Sequence, residues 1–228
     1  MPTLYIVATP IGNLEDISLR ALRTLKDVDF IICEDTRVTS KLLARYEIQK
    51  PLISYFQHSR LSRVEEILAR LERGESAALT TDAGTPGISD PGGKLINLIT
   101  QSLNNCAIVP IPGPCAAVAA LSISGLPTDK FLFLGFPPHK KGRQKFWRRA
   151  AEAEETVVFY ESPHRILKSL NELKNYLTTL PFNHLTNMVV CRELTKMFES
   201  LYRGTIEEVI EKVQSDPIKG EYVVVISK

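Results

Sequence analysis

The sequence predicts an α/β protein in two parts, a parallel sheet first and a mixed sheet second, and three observations carry the prediction. Apolar runs in the N-terminal half stop at loops rich in Gly, Pro and Asp. Residues at helical spacing lie between those runs. The C-terminal half holds five runs rich in β-branched and aromatic residues, two of them too close together for a helical crossover.

Leu4 to Ala8 runs into Thr9, Pro10, Gly12 and Asn13. A helix is expected next, because Leu19, Leu22 and Leu25 repeat after Asp16 and Ser18, both suitable caps. Phe30 to Cys33 stops at Glu34, Asp35, Thr36 and Arg37. Val64, Ile67, Leu68 and Leu71 then fall at i, i+3, i+4 and i+7 before Gly74. The run ending at Leu79 enters LTTDAGTPGISDPGG, Leu79 to Gly93. Gly84, Gly87, Gly92 and Gly93 admit dihedrals closed to other residues, while Asp82 and Asp90 can hydrogen-bond ribose hydroxyls or a cation. This loop is neither GxGxxG nor a Walker loop. Ala107 to Ile111 leads into Pro112, Gly113 and Pro114. Strand, loop and helix in alternation make a parallel sheet, so the four loops should meet at its carboxyl edge, where open α/β sheets bind ligands.

In the second half, Phe131 to Phe136, Thr156 to Ser162, Asn187 to Glu193, Glu199 to Thr205 and Glu221 to Ser227 are strand candidates. The short connection from Glu193 to Glu199 demands an antiparallel pair. A boundary is expected between Ser122 and Lys130, giving domains 1–122 and 123–228. The 228 residues, 44% of them hydrophobic, suffice for two cores.

The net charge is only +2, but its distribution is uneven. His139 to Arg149, HKKGRQKFWRR, has six Lys or Arg among eleven residues, no acid, and Trp147 beside Phe146. Cations on phosphates with an aromatic stacked on an unpaired base would make this a nucleic-acid contact; a solvated helix start with Phe and Trp packed inward is the other reading. Cys33, Cys106, Cys115 and Cys191 form no CxxC, and no disulfide is expected; Cys33 and Cys191 read as small core residues. His58, His139, His164 and His184 show no HExxH spacing, so no metal site is expected. His164 either serves the site or caps the following helix. No GxSxG supports a serine nucleophile. The longest uncharged apolar run, around Cys115 to Leu121, is too short for a bilayer, and without a signal peptide a cytoplasmic location is expected.

TPIGNLEDIS, CEDTR, TTDAGTPGISDPG, PIPGPCAAVAALSISGL, FLGFPP, YESPHR, CRELTK with RGT, and GEYVVVI follow in that order from Leu4 to Ser227. Together they resemble the ribosomal RNA cytidine 2′-O-methyltransferase branch of the tetrapyrrole methylase family, and YESPHR and CEDTR carry the resemblance to this branch. It implies the two-domain tetrapyrrole methylase fold, S-adenosylmethionine in the cleft between the domains, and a homodimer. It also implies methylation of a cytidine ribose in small-subunit (16S) RNA, naked or assembled in the 30S subunit. Sister branches would keep fold and cofactor but methylate a tetrapyrrole or a diphthine-type acceptor. A nucleotide-dependent oxidoreductase finds no GxGxxG here, and a non-catalytic RNA-binding module would show no turnover. Members of the family usually continue past the GEYVVVI strand, whereas this chain ends at Lys228.

Carried onto this sequence, the resemblance has Pro10 line the site, and Asp82, Ala83, Gly84, Ser89, Asp90 and Pro91 hold the methionine and ribose parts of the cofactor. Pro112 and Gly113 would close it. Phe136, the Glu161 to Arg165 run, Glu193 and Leu194 would cover adenine or admit substrate. Glu34 and Asp35 are candidates for taking the hydroxyl proton or orienting the nucleotide, and Arg37 and Arg165 for clamping a phosphate or carboxylate. Pairing of Asp35 with Arg37 to stiffen the loop is the structural alternative. Lys140, Lys141, Arg143 and Lys145, with Arg165, are the expected RNA contacts.

Overall fold

A computed structural model describes residues 1–56, 61–178 and 187–227. His58 and His184 lie outside them. The chain divides into two compact units, Met1–Cys115 and Ala116–Lys228. This division comes earlier than residue 122, because helix Ala116–Ser124 packs on strands of the second unit.

In the first unit, β1 (Thr3–Val7), β2 (Phe30–Cys33), β3 (Leu52–Ser54), β4 (Ala77–Leu79) and β5 (Ala107–Ile111) form a sheet of order β3-β2-β4-β1-β5. Every pairing is parallel. Alternate residues enter two cores. Leu4, Phe30, Ile32, Ala77 and Leu79 face α3 (Leu61–Glu72) and α4 (Gly92–Ser102), while Val7, Ile31 and Ala78 face α1 (Leu19–Asp27) and α2 (Thr36–Arg45). A sheet covered on both faces needs continuous apolar strands, which is why these runs do not alternate. Ser18 caps α1, its Oγ accepting the Ala21 N–H at 3.1 Å. The buried stripe of α1 is Ala21 and Leu25, continued by Val28, whereas Leu19 is 80% exposed. A spacing of three residues walks about 60° round the helix per step, so Leu19 and Leu25 cannot share a face.

In the second unit, α5 (Ala116–Ser124) precedes β6 (Phe131–Phe133), α6 (Arg143–Glu152), β7 (Thr156–Glu161), α7 (Ile166–Thr178), β8 (Asn187–Arg192), β9 (Ser200–Gly204), α8 (Ile206–Ser215) and β10 (Tyr222–Ser227). The sheet order is β6-β7-β10-β8-β9. β6 and β7 are parallel, and the remaining pairs, including β8 with β9, are antiparallel. α6, α7 and α8 cover one face through Trp147, Leu170, Leu173, Val209 and Val213. On the other side, α5 packs against β7 and β10, and its Ala117 N–H donates to the Tyr160 hydroxyl at 3.1 Å. No helix among the described residues is long and apolar enough to cross a membrane.

Candidate functional site

All five strands of the first sheet point the same way, so the loops after β1, β2, β4 and β5 leave from one edge. They are joined to one another. Thr9 and Gly84 exchange backbone hydrogen bonds at 2.9 and 3.1 Å, and the Thr9 hydroxyl donates to the Thr81 carbonyl at 3.0 Å. The Thr85 hydroxyl donates to the Pro114 carbonyl at 2.9 Å. Thr81 also donates to Glu34 Oε2 at 3.2 Å, and the Asp35 N–H donates to Asp82 Oδ1 at 3.2 Å. Thr9, Thr81 and Thr85 were not singled out from sequence; their signal is a hydroxyl residue just past a strand end, where a loop needs a tether.

Glycine matters here chiefly as space. A Cβ on Gly113 would lie 2.9 Å from the Ala8 Cβ, so the loop after β5 could not lie this close to β1 with any other residue. Gly92 is confined by the same loop: Asp90 accepts from the Gly87 N–H at 2.8 Å and the Gly92 N–H at 2.8 Å, leaving 2.9 Å between Asp90 Oδ1 and a Cβ at Gly92. Gly84 and Gly87 hold φ of 88° and 87°, as does non-glycine Ser89 at 65°, while Gly92 and Gly93 open α4. Asp90 therefore fastens the loop from within.

The carboxylates at this edge are not equivalent. Asp35 caps α2 through the Arg37 N–H at 2.8 Å and is gripped by the Arg37 guanidinium at 2.6 and 3.0 Å. Those bonds hold it down to about 2. Glu34 lies higher than an ordinary glutamate because burial and then the Asp82 charge disfavour its ionised form, against the opposing Thr81 hydrogen bond. Burial raises Asp82 as well, with the Asp35 charge adding to it. Neither Glu34 nor Asp82 makes an ion pair among the described residues. The edge thus offers two uncompensated carboxylates, exposed main chain at Ala83, Pro112 and Gly113, and the buried ring of Pro10.

That donor set fits S-adenosylmethionine. Its sulfonium and ammonium are cations and its ribose a diol, which carboxylates and backbone groups satisfy. Among the described residues no group of three His, Cys, Asp or Glu is placed to hold a metal.

The second unit carries a different kind of cluster. Glu161 is 1% exposed, and its Oε1 accepts from the Ser162 N–H and pairs with Arg165 Nη2, each at 2.7 Å. Its Oε2 accepts from the Ser169 hydroxyl, which in turn accepts from Arg143 Nη2 at 2.8 Å. Arg143 Nε and the Trp147 indole N–H both donate to Glu172 Oε2, at 2.7 and 2.6 Å. The two arginines reach the loop after β6: Arg165 Nη1 donates to the Pro137 carbonyl and Arg143 Nη1 to the Pro138 carbonyl, both at 3.0 Å. Phe136, 50% exposed, leans edge-on against Tyr160 with ring centroids 5.4 Å apart.

These contacts correct two expectations. Arg143 is buried and its guanidinium is engaged on three sides, so it does not present a cation to RNA. Trp147 is 1% exposed, edge-on to Phe159 at 5.6 Å, and cannot stack on a base. Lys140, Lys141, Lys145, Arg148 and Arg149 remain exposed. Arg165 sits 18% exposed in its ion pair with Glu161, and His164 is exposed. Ser169 and Glu172 were missed, although Arg165, Ser169 and Glu172 follow one another at i+4 and i+3 along one stripe. Leu194 is buried at the β8–β9 turn, where Glu193 has φ 53° and accepts from Lys196 at 2.8 Å.

Comparison with known proteins adds to this geometry. Residues 3–210 match the family profile of the tetrapyrrole (corrin/porphyrin) methylases. The chain is 45% identical to the ribosomal RNA small subunit methyltransferase I of Synechocystis over 228 residues, all of this chain and 79% of that one. It is 40% identical to the protein of that name from Thermotoga maritima, covering 100% of this chain and 99% of that one. Among solved structures, cobalt precorrin-4 methyltransferase superposes with a TM-score of 0.71 at 18% identity, over 99% of this chain and 94% of that one. Uroporphyrin-III-C-methyltransferase of Thermus thermophilus gives 0.67 at 20%, again over 99% and 94%.

Proposed function

We propose a reaction from one premise: this chain belongs to the tetrapyrrole methylase family, in the group of ribosomal RNA small subunit methyltransferase I. The reaction is transfer of a methyl group from S-adenosylmethionine to the 2′-oxygen of a cytidine ribose in small-subunit ribosomal RNA. The observation that carries it is the joined set of four loops around Glu34 and Asp82, which leaves two carboxylates without cations at one sheet edge.

When bound, the cofactor supplies an electrophilic methyl group on a sulfonium, and transfer is an in-line displacement. The protein's first task is alignment, which is worth several kcal/mol. Backbone groups at Ala83, Gly84, Ser89, Pro91, Pro112 and Gly113, with Pro10 behind them, hold the cofactor in this reading. Asp82 faces its cationic or hydroxyl groups, and Phe136 covers it from the second unit's own sequence segment. The second task is to take the proton as the ribose hydroxyl forms its bond to carbon. Glu34 does this: it is the more basic carboxylate, and the Thr81 hydroxyl orients it. Asp35, ionised down to about 2, is a poor base and serves to fix α2 and Asp82. Arg37 is committed to Asp35 and faces solvent on its other side, where it can meet a phosphate.

Lys140, Lys141 and Lys145 are carried as RNA contacts. Two copies are proposed to associate through α5, whose apolar residues lie on every side and leave Val118 and Ile123 at 55% and 40% exposure. A ribosomal substrate puts the reaction in the cytoplasm. The test is transfer of labelled methyl from S-adenosylmethionine to under-methylated small subunits, with transfer RNA and a tetrapyrrole precursor as parallel acceptors. Label recovered as 2′-O-methylcytidine supports the reading; label on the tetrapyrrole refutes it.

A further inference from the structure

α2 starts at Thr36, directly after Glu34 and Asp35, and its sequence TRVTSKLLAR contains no acid. Arg37, Lys41 and Arg45 are all exposed and stand at i, i+4 and i+8, one stripe along the helix. Ser40 and Ala44, also exposed, are neutral. Thr39 and Leu43 take the buried side.

Helix physics does not call for such a stripe. Like charges at i, i+4 repel one another, and two successive pairs of this kind occur here. Arg37 lies in the first turn, the end of the helix dipole that disfavours a cation, and Asp35 must offset it. Only Arg45, in the last turn, helps the helix. Among the described residues neither Lys41 nor Arg45 has an ion-pair partner. The stripe is therefore a local cost with nothing in the fold to balance it. A polyanion laid along it would supply that balance. Four residues of helix rise about 6 Å, so the three cations span about 12 Å, roughly the axial length of three to four stacked nucleotides.

We infer that the exposed Arg37–Lys41–Arg45 face of α2 is a docking surface for the phosphate backbone of the RNA substrate, leading the strand to Glu34. The inference rests on the RNA methyltransferase reading and goes beyond it by naming the surface that feeds the site. It is separate from the basic run at α6, whose Arg143 is turned inward.

Lys41→Glu is the discriminating variant, because it turns both repulsive neighbours into attractive ones. It should melt no lower than the unmodified chain while losing RNA. With under-methylated small ribosomal subunits as the probe, the expected result is a KM raised tenfold or more, kcat at saturation and S-adenosylmethionine binding unchanged, and a salt dependence of RNA binding shallower by about one released counterion. Lys41→Gln should fall between the two. Unchanged KM and salt slope in Lys41→Glu, with the unmodified chain active on subunits, overturns the docking surface alone. The same is true if Lys141→Glu with Lys145→Glu at α6 removes all RNA affinity while α2 variants remove none. Absence of both RNA binding and transfer in the unmodified chain overturns the docking surface together with the reading beneath it.

Discussion

Single residues divide the acid edge into parts with different chemistry. Asp35 is depressed to about 2, below the ordinary aspartate value of about 3.9, so its contribution to stability is complete above about 4 and is lost as the pH falls toward 2. Asp35→Asn keeps a good cap but loses the grip on Arg37. Its acid-unfolding curve should be flatter over that window while transfer at neutral pH stays within several-fold of the unmodified chain; a loss of a hundredfold would make Asp35 the base. Glu34 runs the other way. Its raised value means that ionisation opposes folding, so its charge becomes a burden as the pH rises through that value. Much of this was legible in advance, because CEDTR and TTDAGTPGISDPG follow strand ends and carry the reactive types. The ranking was not legible. Whether a carboxylate is capped, gripped or left free depends on Thr81, Arg37 and Asp82 meeting across the edge, and residue order alone does not fix those contacts.

Elements tell the same story at larger spacing. β2 and β5 begin and end where their apolar runs do, because strands buried on both faces cannot hide a polar residue. β3 was not foreseen: Leu52–Ser54 is three residues long, follows Pro51, and is too short for any periodicity to register. The antiparallel β8–β9 pair was foreseen because chain length forbids the alternative. The basic run of α6 was ambiguous because six cations look alike in sequence, and only the buried carboxylates Glu161 and Glu172 decide which one turns inward. Two substitutions test these element-level contacts. Gly113→Ala pushes the loop after β5 off Ala8 and should cost about 1 to 3 kcal/mol by denaturant titration, with weaker cofactor binding measured by calorimetry. Glu161→Gln leaves Arg165 without its buried partner and should cost about 3 to 5 kcal/mol; a loss under 1 kcal/mol would show that the Pro137 and Pro138 carbonyls hold the arginines unaided.

At the level of the whole molecule, the account joins a doubly covered parallel sheet that gathers four loops to a second sheet whose charged cluster ties down the segment after β6. Association of two copies through α5 predicts that Val118→Glu, an exposed position that should leave the fold intact, shifts the chain from dimer to monomer in light scattering; an unchanged mass would move the interface elsewhere. The central claim concerns the proton. The most direct measurement is single-turnover methyl transfer to under-methylated small subunits by the unmodified chain and by Glu34→Gln, at saturating S-adenosylmethionine and across pH. The account predicts that Glu34→Gln binds the cofactor normally and melts no lower near neutral pH. Its transfer should be about a hundredfold to ten-thousandfold slower and should lack the acid limb of the unmodified chain, which lies above the ordinary glutamate range. Transfer by Glu34→Gln at an undiminished rate with the same acid limb would contradict it.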